Sequence, residues 1–324
     1  MESLAEVLVQ EASRVAAVMT VFNQVEGARK CVESLLNQTA PLSFICVLFN
    51  GTAKNESLAD AFAETFRSQP KVHVLRSREN IGNAGGAKLA MCAALELGAD
   101  WIWIVEDDAL PHRDALEQLI AAGMKTDCAY GSLILDPKWN DLAFPAAAIE
   151  QDGSQRIVST KAQLPDSNIF QVRGIWLGGL IPRQIIDTVG EVNADLFIRG
   201  EDEEYPARIR QAGFRFYCVK DSIIEHPGMR HKHLAVGGVN FFYETGVAPW
   251  KAYFLIRNHV YVRRKYTAAG KLTGLVRAVG TIVLAIMSAL LYDDHKLRRV
   301  LLYSRAGWHG LLGRLDFRPQ GTPA

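Results

Sequence analysis

Short runs of consecutive apolar residues alternate, over the first third of the chain, with stretches whose apolar positions recur every three or four residues. Ser13–Phe22 is the first run, with Val15, Ala16, Ala17, Val18, Met19 and Val21; Phe44–Phe49, Val72–Leu75 and Trp101–Val105 follow. Runs of this length bounded by turn residues predict buried strands. Between them, Val25–Asn37 sets Cys31, Val32, Leu35 and Leu36 on one stripe, and Leu58–Phe66 and the Ala-rich Asn83–Leu97 keep helical spacing. Asn50-Gly51 breaks the second strand and Gly98 stops the third helix. Strand–helix alternation of this kind predicts an α/β fold around a parallel, doubly wound sheet with right-handed crossovers.

Beyond Pro111 the pattern changes. Ala129–Leu135, Ile157–Thr160, Ile175–Ile181, Phe214–Val219 and Ser222–Glu225 read as strands, and Arg183–Val189 and Glu201–Gln211 as helices. From Trp250 the chain reads as helical and basic. Between Lys251 and Arg314 the acids are Asp293 and Asp294 alone, a bias that suits anionic lipid or a pyrophosphate. Ala278–Tyr292 is almost wholly apolar but shorter than the roughly 20 residues that cross a bilayer. It is expected to form an interfacial or buried helix, resting on a membrane surface or packed as a hairpin on the catalytic domain.

Length changes the picture only modestly: 324 residues predict one large domain with a smaller appendage. The net charge of +1 gives no general affinity for nucleic acid. Five widely spaced cysteines, Cys31, Cys46, Cys92, Cys128 and Cys218, with no Cys-x-x-Cys pair, predict buried thiols in a reduced, cytosolic protein. Met1–Arg14 carries Glu2, Glu6 and Glu11 and does not read as a signal peptide.

The chemistry begins at Glu106-Asp107-Asp108, which closes the fourth strand. Three adjacent carboxylates repel one another, and a divalent cation removes that cost while leaving positions open for phosphate oxygens. Carboxyl ends of strands are also where α/β sheets bind ligands. A solvated acidic turn before a helix accounts for the same triplet. The loop Arg78–Gly86 has small residues that permit close backbone approach, and it opens a helix whose N-terminus favours an anion, so a ribose or phosphates would fit there. Asn50, at the end of the second strand, stands where a base or ribose contact is expected. Glu201 and Asp202 begin a helix directly after an apolar segment; either a cleft-facing carboxylate that acts as general base or ordinary helix capping explains them. His226 ends a short strand and is a good ligand for a metal such as Mn²⁺ with the 106–108 carboxylates; a strand-end His bonded to backbone is the alternative. His231 and His233 make no zinc motif with it.

In order, Thr20-Val21-Phe22-Asn23, Arg78-x-Asn80-x-Gly82-x-x-Gly85-Gly86, Ala99–Asp108, Gly178-Gly179-Leu180-Ile181, Leu196–Glu204 and Glu225-His226-Pro227 resemble the inverting family-2 glycosyltransferases of GT-A fold. The likeness spans roughly residues 13 to 265 and is strongest to bacterial, mycobacterial-type initiating galactofuranosyltransferases. It implies a Rossmann-like, mainly parallel twisted sheet flanked by helices, with a GT-A domain over 1–245 (donor half about 13–110, acceptor half about 111–245) and a basic, amphipathic helical region over 246–324. It implies that Glu106, Asp108 and His226 hold a divalent metal, Mn²⁺ or Mg²⁺, with Glu106 standing where Asp is usual. Asp202 would be the base, with Glu201 as its neighbour. Thr20, Asn50, Arg78, Asn80, Gly86 and Asp107 would contact the donor nucleotide, and Trp176, Gly178 and Gly179 the acceptor. The implied activity is transfer of galactofuranose from UDP-galactofuranose to a polyprenyl-pyrophosphate-linked glycan at the inner face of the cell membrane, in cell-envelope polysaccharide synthesis. On that reading Trp250, Tyr253, Arg257, Asn258 and Tyr261 suit the lipid-linked acceptor. The alternatives are a rhamnosyltransferase using dTDP-rhamnose and a non-catalytic nucleotide-binding membrane-assembly protein. Oligomerisation stays open.

Overall fold

In a computed structural model of the chain, residues 13–51, 56–228, 232–236, 239–243 and 247–323 are described. Met1–Ala12, most of the stretch that does not read as a signal peptide, and His231 lie outside them.

Four parallel strands come first: β1 (Val15–Val21), β2 (Phe44–Asn50), β3 (Val72–Ser77) and β4 (Trp101–Ile104), linked by helices α1 (Val25–Leu36), α2 (Glu56–Thr65) and α3 (Gly82–Glu96). β1 and β4 pair in parallel, as do β1 with β2 and β2 with β3. Every residue of β4 and nearly all of β1 is buried, as strands covered on both faces require. In α1 the buried residues are Ala28, Cys31, Val32 and Leu35, one helical face turned to the sheet.

The second half turns the sheet mixed. After β5 (Leu110–Pro111) and α4 (Ala115–Ala121) come β6 (Cys128–Asp136), β7 (Asp141–Leu142), β8 (Ala146–Ile149), β9 (Gln155–Val158), β10 (Ile169–Val172) and β11 (Gly179–Pro182). Then follow α5 (Arg183–Val189), α6 (Glu201–Gln211) and β12 (Arg215–Glu225). The strand order is β3-β2-β1-β4-β11-β6-β12-β10-β8-β9. β11 runs antiparallel to both β4 and β6, so the sheet is mainly parallel, as expected, with the antiparallel pairings gathered in its second half. The two strands expected at 214–219 and 222–225 are one long strand, β12, whose register shifts between Val219 and Ile223. The strand expected over Ile175–Ile181 shrinks to Gly179–Pro182, because Gly178 takes φ 74° and turns the chain. A separate hairpin, β13 (Lys232–Val236) with β14 (Val239–Tyr243), follows.

Three helices complete the fold: α7 (Pro249–Tyr266), α8 (Lys271–Tyr292) and α9 (Lys296–Leu312). α8 starts well before Ala278 and is 22 residues long, with mean hydropathy 2.1 over its most apolar 18-residue stretch, so by length and composition it could cross a bilayer, contrary to the shorter expectation. It packs beside its neighbours through glycines: Gly274 faces the backbone of Arg263 and Arg264, and Gly307 faces Ile282. The opposite stripe of α8, including Leu272, Val276, Val279, Val283 and Leu290, is exposed. α9 exposes Leu297, Leu301, Trp308 and Leu312 at helical spacing.

Candidate active site

β4 hands the chain to the acidic triplet. Val105 N–H still donates to Val18 O at 3.0 Å, and Ala109 N–H then closes a turn on Glu106 O at 3.1 Å. α1 presses against this turn: a Cβ on Gly27 would strike Asp107 O, so only glycine allows the approach. His226 arrives from the end of β12, its backbone N–H held by Leu135 O at 2.9 Å. Its Nε2 lies 2.9 Å from Asp108 Oδ1 and 3.3 Å from Glu106 Oε2. Gln24 Nε2 donates to Asp108 Oδ2 at 3.4 Å.

The charges are mutually dependent. Burial disfavours a charged His226, but the hydrogen bonds and charges of Asp108 and Glu106 override it and raise the ring to about 10. Burial likewise works against Asp108, whose bond to His226 nevertheless leaves it below the usual carboxylate range. Asp107 has no such partner; burial, then Asp108 and Glu106, push it up to about 7. A proton on His226 thus does what a cation would do here. The three ligand atoms lie within 4.8 Å of one another, and two carboxylates with one imidazole suit Mn²⁺ or Mg²⁺. The residues fit the group.

A second acidic pair faces the same cavity. Glu201 and Asp202 open α6, behind a segment in which Phe197 and Arg199 both take φ 65° and Gly200 takes φ 100°. Such left-handed backbone persists for non-glycine residues only when its surroundings fix it. Here Asn258 does so, donating from Nδ2 to Leu196 O at 3.0 Å, Ile198 O at 3.1 Å and also Arg199 O. Arg257 Nη2 adds bonds to Asp195 O and Leu196 O, both at 3.0 Å. Glu201 is buried; its Oε1 accepts from Asn83 Nδ2 at 2.8 Å, while Oε2 has no partner. Burial, then Asp202, raise its carboxyl to about 8. Asp202 opens to the cleft, with Oδ1 accepting from Gly200 N–H at 3.1 Å, and the crowding of protein around it, then Glu203, raise its carboxyl above the usual range.

Glu106, Asp107, Asp108, His226, Glu201, Asp202, Thr20 and Trp176 all line one cavity of about 630 Å³, together with Asn83 and Lys251. Trp176 meets Tyr205 edge-on at 6.3 Å. The other expected contacts lie elsewhere. Asn50 and Asn80 are buried and saturated: Asn50 Nδ2 donates to Asn80 Oδ1 at 3.0 Å and to Gly82 O at 3.2 Å, and Asn50 Oδ1 accepts from Ile81 N–H at 2.9 Å. They lock the loop rather than face the cavity. The expected anion site at the start of α3 is filled by protein, since Gly82 N–H bonds Asn80 Oδ1 and Ala84 N–H bonds Phe197 O. Gly86 gives α3 its close approach to β1, where a Cβ would collide with Thr20. Arg78 is exposed and outside the cavity lining. Gly178 and Gly179 also lie outside it; Gly178 bonds into the sheet through Ile104 O and Ser132 N–H. Tyr253, Arg257 and Asn258 are fully buried, not turned to an acceptor.

Sequence reasoning missed Asn83, Gln24 and Gly27. Asn83 had a signal, as the first polar residue of a helix beginning at the cleft; the other two had none.

A mostly parallel sheet with acidic groups at the carboxyl end of its central strand, facing a second acidic pair across one cavity, is the GT-A architecture seen in glycosyltransferases. Residues 16–147 match the model of Glycosyl transferase family 2. Among proteins of known role, it is 28% identical over 257 residues to the galactofuranosyltransferase GlfT1 of Mycobacterium tuberculosis, covering 76% of this chain and 81% of that one. It is 21% identical over 255 residues to the dTDP-rhamnosyl transferase RfbF of Shigella flexneri, covering 78% and 81%. Solved structures share the fold: Staphylococcus aureus TarS 1–349 superposes with TM-score 0.58 at 11% identity, covering 94% of this chain and 82% of that one. GalNAc-T7 with UDP, GalNAc and Mn²⁺ superposes with TM-score 0.55 at 14% identity, covering 92% of this chain and 55% of that one, so this chain spans about half its length.

Proposed function

We propose that this glycosyltransferase moves galactofuranose from UDP-galactofuranose to a lipid-linked glycan in cell-envelope polysaccharide synthesis, by a single displacement with inversion at the anomeric carbon. The observation that carries the reading is the meeting of Glu106, Asp108 and His226 with Glu201 and Asp202 in one cavity. GlfT1, the galactofuranosyltransferase relative, supports the donor sugar.

Glu106, Asp108 and His226 would hold a divalent cation, which would supply charge neutralisation for the leaving diphosphate. Across the cavity, Asp202 takes the proton of the acceptor hydroxyl on its free Oδ2 as the new oxygen–carbon bond forms and the carbon–oxygen bond to the diphosphate breaks. A raised carboxyl suits a base that must accept a proton near neutral pH. Glu201, neutral below about pH 8, orders the start of α6 through Asn83 and limits the charge repelling Asp202. Trp176 supplies an apolar wall for an acceptor sugar. No covalent intermediate on the enzyme is needed.

The exposed apolar stripes of α8 and α9, bordered by exposed Lys271, Arg277, Lys296 and Arg298, support peripheral seating on the cytoplasmic membrane face, where a lipid-linked acceptor resides. The packing of α8 against α7 and α9 favours this seating over a span. The RfbF relative favours a second reading, a dTDP-rhamnose donor. A panel of nucleotide sugars with Mn²⁺ decides: turnover of UDP-galactofuranose is the expected result, and turnover of dTDP-rhamnose alone would overturn the donor assignment.

A further inference from the structure

Past α9 the chain does not leave the molecule. Gly313, at φ 69°, caps the helix and turns the chain back along α7. Residues 314–323 then run as an irregular strap with three anchors. The first is Arg257, whose Nη1 donates to Leu315 O at 2.8 Å and Phe317 O at 3.3 Å. The second is the Phe317 ring, 5.5 Å from Tyr253 and 5.2 Å from His309, with the Arg305 guanidinium 3.9 Å over its face. The third joins the strap to the donor-side loop. Arg318 Nη1 donates to Asn80 O at 3.1 Å, its guanidinium lies 4.5 Å over Phe197, and Asn80 Nδ2 donates to Pro323 O at 3.2 Å.

Asn80 and Phe197 belong to the two segments that set the acidic pair. Asn80 locks the loop that ends in Asn83, and Asn83 holds Glu201. Phe197 opens the left-handed turn from which Glu201 and Asp202 emerge, and its carbonyl accepts from Ala84 N–H at the start of α3. Arg318 touches both segments at once, and Arg257 ties the base of the strap to Asp195 and Leu196 just before that turn. We infer that the 314–323 strap positions the catalytic pair, with Arg318 as its principal positioning residue. The inference rests on the assignment of Glu201 and Asp202 to the acceptor side.

The test compares the full chain with Arg318→Ala, Arg318→Lys and a chain ending at Phe317. Hydrogen exchange is followed in peptides covering 80–86 and 196–204, with 101–105 as the internal control. Donor KM and kcat are measured in parallel. For Arg318→Ala, exchange should quicken about tenfold in the two segments and stay unchanged in the control. kcat should fall about tenfold or more with donor KM within about twofold, because the pair is displaced while the metal side is intact. Arg318→Lys, which still donates to Asn80 O and still covers Phe197, should recover most of both. Unchanged exchange in the Arg318→Ala protein overturns the inference, and so does quickened exchange with unchanged kcat. If the full chain transfers no sugar, the functional reading fails separately, and the exchange result alone decides whether the strap holds these segments. If the shortened chain does not fold, the two point variants decide.

Discussion

Replacing Glu201 by Gln should separate the protein's pH response into its parts. Glu201 is 5% exposed, with Oε1 engaged by Asn83 and Oε2 unpaired. Burial and the neighbouring Asp202 raise it from 4.5 to about 8. The folded chain therefore keeps a proton that the unfolded chain releases above about pH 4.5. Stability from this group is fully present below that pH and declines as pH rises towards about 8, then levels off. The slope is about 1.4 kcal/mol per pH unit, so about 3 kcal/mol disappears between roughly pH 5.5 and 7.5. Gln keeps the acceptor for Asn83, places an N–H where Oε2 stood, and does not titrate. Urea unfolding of both proteins at these two pH values gives the result as a double difference, in which titrating groups that do not interact with Glu201 cancel. Glu201→Gln should gain about 3 kcal/mol on the wild type between the lower and the higher pH. Parallel stability profiles would show that Glu201 is ionised in the fold and would refute the account of its burial.

Two further outcomes follow from the C-terminal helices. Arg257 is fully buried and has all five N–H donors bonded, to Asn258 Oδ1 and four backbone carbonyls. Arg257→Met should cost about 3–5 kcal/mol in urea unfolding, since it orphans those carbonyls and frees a strained turn; a loss under about 1 kcal/mol would contradict this role. Val276→Asp with Val283→Asp should abolish co-sedimentation with anionic liposomes while leaving helical circular dichroism intact, and undiminished sedimentation would remove the outward stripe of α8 from membrane contact.

Much of this architecture is legible in the residues. β1 and β4 announce themselves because strands covered on both faces must be apolar throughout, and the triplet after β4 stands out because carboxylates there need compensation. His226 was legible as a ligand type, but only the pairing of β12 with β6 carries it to within 3.3 Å of Glu106. The antiparallel entry of β11 was not legible, since it depends on a turn at Gly178 that any loop glycine resembles. Asn50 and Asn80 have the polarity of ligand contacts, yet an amide that bonds its own loop looks the same in sequence as one that faces a nucleotide. Arg257 shows the same ambiguity from the other side: a guanidinium clamping backbone carbonyls is indistinguishable, by composition, from one awaiting a lipid phosphate.

The division of labour across the cavity is tested most directly by calorimetric titration of UDP, with and without Mn²⁺, into the wild type, His226→Ala and Asp202→Asn. The account predicts Mn²⁺-dependent binding that His226→Ala loses and Asp202→Asn retains within about twofold, while Asp202→Asn no longer transfers sugar. Equal binding by wild type and His226→Ala, or loss of UDP binding in Asp202→Asn, would contradict it.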